Sequence, residues 1–197
     1  MAIVLASTSR YRADLLARLG VPFDTAAPGI DETPREGEDP AALARRLARE
    51  KAQAVSARDV ESVVIGSDQV AICEGRRLGK PGHRASALEQ LQHQRGRTTT
   101  FFTAVCFVQG GEVLWEETVL TRVRWRDAAA LTDAVLLRYI EIDQPLDCAG
   151  AAKSEALGMA LIESIEGDDP TALIGLPLIS CQTALTRLAL SPLHQAA

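Results

Sequence analysis

The run Thr98-Thr99-Thr100-Phe101-Phe102-Thr103-Ala104-Val105-Cys106-Phe107-Val108, followed by Gly110-Gly111 and then by Val113 to Trp125, decides the fold class. β-Branched and aromatic residues fill the first part, the glycine pair turns the chain, and the second part returns antiparallel. In the return, Val119, Thr121, Val123 and Trp125 alternate with Leu120, Arg122, Arg124 and Arg126. A period of two means one buried face, and the plain reading of the arginine stripe is a solvated sheet face. Before this pair, Ile3-Val4-Leu5-Ala6 reads as a strand and a helix runs from about Ser9 to Gly20, carrying Leu15, Leu16 and Leu19. Asp39-Pro40 opens a second helix that extends to about Ala57, with Asp as cap and Pro in the first turn. Ser62 to Gly66 is a buried strand, Glu74-Gly75 is the turn of a hairpin, and Arg84 to Gln94 is helical. After the pair, the spacing predicts a helix over Ala128 to Glu141, a strand over Leu157 to Ile162 and a closing helix over Leu178 to Leu190. Helices interleaved with strands around a long antiparallel pair specify a mixed α/β protein rather than a purely parallel, doubly wound sheet.

The chain has 197 residues, enough for one domain or two lobes sharing a cleft, and 47% of them are hydrophobic. Its 21 Lys and Arg stand against 26 Asp and Glu, a net charge of -5. That balance argues against a nucleic-acid duplex as partner, while leaving room for a single nucleotide in a local basic pocket. The apolar runs are too short or too interrupted for a membrane span. Met1 to Ala6 has no basic stretch before it and reads as a buried strand rather than a signal peptide. Cys73, Cys106, Cys148 and Cys181 are scattered through apolar contexts, the pattern of reduced thiols in a cytoplasmic protein. His83, His93 and His194 lie in polar or terminal stretches and suggest no zinc site.

Five clusters sit where loops should meet the ends of strands or helices. Ser7-Thr8-Ser9-Arg10-Tyr11-Arg12 begins the first helix; free N–H groups there and Arg12 suit a phosphate, although a plain serine cap with exposed arginines reads equally well. Lys51 falls in the apolar stripe Leu43, Leu47, Lys51, Val55, so it either snorkels or points into a cleft. Gly66-Ser67-Asp68-Gln69 follows an apolar strand; Asp68 there can bind a metal or orient water, or simply belong to a turn. Gly79-Lys80-Pro81 offers a point charge in a constrained loop. The small residues of Cys148-Ala149-Gly150-Ala151-Ala152-Lys153-Ser154-Glu155 permit close approach of a ligand to the backbone.

Taken in order, these segments resemble the Maf family of nucleotide pyrophosphatases. The matching stretches also include Asp31-Glu32, Glu50-Lys51-Ala52, Pro145 to Gly150 and Gly175-Leu176-Pro177-Leu178, and together they span nearly the whole chain. The resemblance implies a single domain over 1–197 with an elongated central sheet and two lobes around a cleft. That fold is similar to the inosine-triphosphate pyrophosphatases. It further implies a homodimer and a divalent cation, Mg²⁺ or Mn²⁺. By position, Asp68 corresponds to the proton acceptor. Ser7, Arg12, Lys51 and Lys80 correspond to phosphate-binding residues, and Glu32 with Asp68 to the metal site. Whether Asp68 is base or metal ligand stays open.

Three positions select a branch of that family. Where the thymidine- and uridine-triphosphate branch has Ser-Pro-Arg-Arg, Ala-Asp-Thr and a late Gln, this chain has Tyr11, Gln69 and Glu155. These resemble the branch that hydrolyses 7-methyl-GTP and so clears a modified nucleotide. Tyr11 stands where that branch often has Trp. An aromatic face attracts the cationic base, and a carboxylate can accept N1–H and N2–H of guanine. The alternatives are the dTTP/UTP activity of the main branch and a non-catalytic, nucleotide-binding regulator of cell division.

Overall fold

A computed structural model describes residues 1–194. It contains strands β1 (Ile3–Leu5), β2 (Asp24–Thr25), β3 (Val63–Cys73), β4 (Arg76–Leu78), β5 (Thr98–Gln109), β6 (Glu112–Trp125) and β7 (Ile162–Gly167). The helices are α1 (Arg10–Ala17), α2 (Pro40–Ser56), α3 (Arg84–Gln94), α4 (Asp133–Asp143) and α5 (Leu178–Arg187). The sheet is mixed, in the order β2-β1-β3-β5-β6-β7, with β4 paired to β3. β1 runs parallel to both β2 and β3, whereas β4 on β3 and β7 on β6 are antiparallel. The mixed α/β class read from the long hairpin is therefore the class observed.

The chain divides into two compact units. Unit 1 comprises Met1–Gln69, Thr103–Val119 and Asp169–Ala197. Its core joins Ile3 and Leu5 of β1, Leu15 and Leu16 of α1, Ile65 of β3, Phe107 of β5 and Leu185 of α5. α2 starts where expected: Asp39 accepts from the backbone nitrogens of Ala41 and Ala42, and Pro40 takes the first position. The helix then buries Leu43, Leu47 and Val55 along one stripe, each such side chain stabilising by about 1.5–3 kcal/mol.

Unit 2 comprises Val70–Phe102 and Leu120–Asp168. Here β6 alternates as its pattern predicts: Thr121, Val123 and Trp125 are buried, Arg122, Arg124 and Arg126 exposed, and Arg124 pairs with Glu163 of β7 at 2.9 Å. The arginine stripe is a solvated face. A buried polar chain crosses this unit: Trp125 Nε1 donates to Thr99 Oγ1, Thr99 Oγ1 to Gln94 Oε1, and Gln94 Nε2 to the Gly150 carbonyl, at 2.8, 2.9 and 2.8 Å.

Several boundaries differ from the sequence reading; α1 and α5 end earlier than expected, at Ala17 and Arg187. β3 does not end at Gly66 but runs on to Cys73, so Gly66 to Gln69 are strand interior rather than a loop. α4 begins at Asp133, not Ala128, because Asp127 accepts from the nitrogens of Ala129 and Ala130 to make a turn, and Thr132 caps the helix. Leu157 to Leu161 form a 3-10 turn, and the strand begins only at Ile162, where pairing with β6 becomes available.

Candidate active site

Asp68 lies on β3 beyond the last residues that pair with β1, Leu5 with Ile65. Lys51 reaches it from α2, with Nζ 2.6 Å from Asp68 Oδ1 and 2.8 Å from Glu32 Oε1. Lys51 is only 5% exposed and Asp68 7%, so the ammonium does not snorkel to solvent; carboxylates take the place of water. The approach depends on Gly66. A Cβ at that position would stand 2.1 Å from the Ala48 carbonyl oxygen and 2.8 Å from the Ala52 nitrogen, so only glycine lets α2 settle this closely on the strand.

Glu32 is exposed and comes from the loop between β2 and α2. Arg46 ties that loop to α2: its guanidinium contacts Glu38 at 2.6 and 2.8 Å, Glu50 at 3.0 Å and the Thr33 carbonyl at 3.2 Å. The Arg46 hydrogen bonds hold the Glu38 carboxyl down at about 2. No sequence motif singled out Arg46 for this task. Glu50 stands at the i+4 helical spacing from Arg46, but Glu38 precedes α2, so no helical period could pair it with Arg46.

The start of α1 is ordered by two serines. Ser9 caps the helix by accepting from Arg12 N at 3.4 Å, and the buried Ser7 accepts from Ser9 N through its Oγ at 3.1 Å. Arg12 Nε donates to the Gly175 carbonyl at 2.8 Å. Burial lowers the Arg12 pKa from its ordinary value, while the charges of Asp68 and Glu32 raise it. A guanidinium remains charged in such a setting. Unit 1 thus gathers Arg12, Lys51, Asp68 and Glu32 in one electrostatic neighbourhood, with Ser7 at the adjoining helix start.

The residues flanking Asp68 bind the segment before α5. Ser67 Oγ donates to the Gly175 carbonyl at 3.0 Å, and Gln69 Nε2 lies 2.9 to 3.1 Å from the Ala172 and Leu173 carbonyls and Thr103 Oγ1. The amide nitrogen of Gln69 is therefore engaged by the protein itself. Tyr11 lies on the first turn of α1, where Arg10 donates to its hydroxyl at 2.9 Å and places its guanidinium carbon 4.8 Å from the ring centroid.

Lys80 and Glu155 belong to unit 2 and both are exposed. Lys80 follows β4 beside the buried Pro81. The loop of Glu155 is braced on either side. Tyr139 Oη accepts from Lys153 N at 3.0 Å, and Asp143 Oδ2 accepts from Gly158 N at 3.2 Å.

Glu32 and Asp68 are a fit for a hard divalent cation. Both carboxylates converge on one cationic atom, and Mg²⁺ is commonly held by one or two carboxylates, with substrate phosphates and water completing its shell. Among the described residues no cluster of three or more His, Cys, Asp or Glu forms an all-protein cage. All four cysteines are free, and His83 caps α3 by accepting from Ser86 N. Among the described residues no helix is long and apolar enough to cross a membrane.

A buried lysine between two carboxylates, beside an arginine at a helix start, brings fixed positive charge and acceptor oxygens to one place, an arrangement able to hold an anionic group. The family model described as "Maf-like protein" matches residues 2–188, and the chain belongs to that family. A protein of Aromatoleum aromaticum named 7-methyl-GTP pyrophosphatase is 53% identical over 185 residues, covering 93% of this chain and 93% of its own. Proteins of the same name from Cupriavidus metallidurans and Paraburkholderia xenovorans are each 51% identical, covering 91% and 96% of this chain and 89% and 91% of their own. Among solved structures, a nucleoside-triphosphatase / dITP/XTP pyrophosphatase from Mycobacterium abscessus aligns with 64% of this chain and 74% of its own, at 18% identity and a TM-score of 0.39.

Proposed function

We propose that the protein is a nucleotide pyrophosphatase that hydrolyses 7-methyl-GTP to 7-methyl-GMP and pyrophosphate. The observation that carries the chemistry is the buried Lys51 ammonium shared between Asp68 and Glu32. The names of relatives about half identical over most of the chain support the substrate. In this reading Asp68 accepts a proton from the attacking water. The water oxygen bonds to the α-phosphorus as the bond to the bridging oxygen breaks, and pyrophosphate leaves with that electron pair. Arg12 and Lys51 stabilise the charge that builds on the phosphates, and Ser7 with the start of α1 orients them through hydroxyl and N–H donors. Lys80 adds a phosphate-binding charge. Glu32 and Asp68 would hold Mg²⁺ or Mn²⁺, whose chemistry is neutralisation of phosphate charge as a Lewis acid.

Tyr11 and Glu155 serve base choice, the ring for the cationic purine and the carboxylate for its N1–H and N2–H, with Gln69 as the third specificity position. The protein would work in the cytoplasm as a homodimer, removing a modified nucleotide. The deciding measurement is kcat/KM for 7-methyl-GTP, GTP, UTP and dTTP by pyrophosphate release, with and without chelator. The expected result is metal-dependent pyrophosphate release with 7-methyl-GTP preferred. Preference for UTP or dTTP would place the enzyme in the main branch. Absence of turnover with tight nucleotide binding would make it a regulator.

A further inference from the structure

The segment Asp169–Ile179 holds a part-buried hydrogen-bond network, centred on the buried Asp169, whose carbonyls serve the residues around Asp68. Asp169 is 2% exposed. Its Oδ1 accepts from Thr171 N and Thr171 Oγ1 at 2.9 and 2.6 Å, and its Oδ2 accepts from Ile179 N at 2.7 Å. Thr171 Oγ1 in turn accepts from Leu178 N at 2.9 Å and lies 2.9 Å from the Leu176 carbonyl. One carboxylate and one hydroxyl therefore fasten both ends of a short loop. Between the ends, Gly175 adopts φ +125°, a conformation that L side chains rarely take.

The loop's inner carbonyls point at machinery. Gly175 O accepts from Arg12 Nε and from Ser67 Oγ, and Ala172 O lies within reach of Gln69 Nε2 and Thr103 Oγ1. Ser67 and Gln69 are the two neighbours of Asp68. A guanidinium that spends its Nε–H on a fixed carbonyl has its Nη hydrogens left for a phosphate, in a plane set by that carbonyl. We propose that Asp169, with Thr171, is a positioning residue for the pyrophosphatase reaction: it fixes the Gly175 carbonyl, and through it the plane of Arg12. This rests on the reading of Arg12 as a phosphate ligand.

The test is a double-mutant cycle on the full chain. Asp169→Asn keeps the size but turns an amide toward donors that need an acceptor. It should lower kcat/KM by roughly tenfold to a hundredfold, the scale of a misplacement of about an ångström. In an Arg12→Lys background, which lacks the Nε–H, the same change should cost less than about threefold. Thr171→Val should behave like Asp169→Asn, and Thr171→Ser should retain at least about tenfold more activity than Thr171→Val. A second readout needs no turnover. The Arg12 Nε–H resonance, assigned by its disappearance in Arg12→Lys, should exchange slowly with solvent in the parent and faster in Asp169→Asn. Equal losses in both Arg12 backgrounds, or unchanged Nε–H exchange, would overturn the proposal. If Asp169→Asn does not fold, Thr171→Val takes its place in the cycle. Failure of both to fold overturns the proposal, because the network is then a requirement of the fold. A parent that releases no pyrophosphate from any nucleotide sinks the functional reading instead, and the resonance still reports on the network.

Discussion

Lys51 and Lys80 both match the phosphate-binding pattern, yet their surroundings differ in kind. Lys51 sits in unit 1 within the apolar stripe of α2, 5% exposed, with its ammonium already between two carboxylates. Lys80 sits in unit 2 in the loop after β4, exposed, next to a glycine whose surroundings are open within 4 Å. Desolvation strengthens every electrostatic contact and makes an unmatched charge costly. The Lys51 centre is thus set before substrate arrives and is tied to the stability of unit 1, whereas Lys80 contributes a charge that folding does not depend on. The same contrast separates Asp68, whose neighbours Ser67 and Gln69 are both hydrogen-bonded to the α5 approach, from the exposed Glu155.

The strongest way to break this contrast is Asp68→Asn. It should leave the circular dichroism spectrum intact and lower kcat by ~10²–10⁴, the usual loss for a general base; a folded variant with parental kcat removes Asp68 from the chemistry. Next is Lys51→Met, which leaves the Asp68 carboxylate buried without its ammonium. Urea unfolding should show a loss of about 3–5 kcal/mol, while Lys80→Met stays within about 0.5 kcal/mol of the parent even though both lose activity. Equal stability losses would show that the two lysines are not different in kind.

A smaller effect separates two glycines. Gly66→Ala must push α2 from β3 and should cost about 1–3 kcal/mol or more, with loss of activity as Lys51 is displaced. Gly79→Ala, in open space, should change stability by less than about 0.5 kcal/mol, and thermal melts of the two variants decide it. The smallest effect concerns the base. Tyr11→Ala should reduce the preference for 7-methyl-GTP over GTP by a few-fold, since a cation–π contact contributes about 0.5–2 kcal/mol. Arg10 already lies over that ring, so Arg10→Ala should raise the same preference. Glu155→Gln should lower kcat/KM for 7-methyl-GTP and admit UTP or dTTP, because an amide donates as well as accepts. A ratio of kcat/KM values that none of the three moves would take base choice away from these residues.

The fold class, the helix start at Asp39, the hairpins at Glu74-Gly75 and Gly110-Gly111 and the buried face of β6 were all legible along the chain. Each depends on local periodicity or on a residue's own backbone preference, and neither requires a distant partner. The candidate residues were legible as types in order: serines and arginine at a helix start, a lysine in an apolar stripe, an acid after a valine-rich strand. Where β3 ends was not, because a strand continues as long as neighbours offer pairing, and those neighbours lie far away in sequence. The strand ran through Asp68 instead of stopping before it. Nor could the sequence say what Lys51 touches, since the apolar stripe allows a snorkelling lysine as readily as a buried one. Tertiary structure decided that through Gly66, whose missing side chain brings α2 onto β3, and through the Arg46 contacts that hold the loop carrying Glu32. The Asp169 network depended on it most. A buried carboxylate finds its meaning in the carbonyls it fixes, and those reach residues 163 and 108 positions away in the chain.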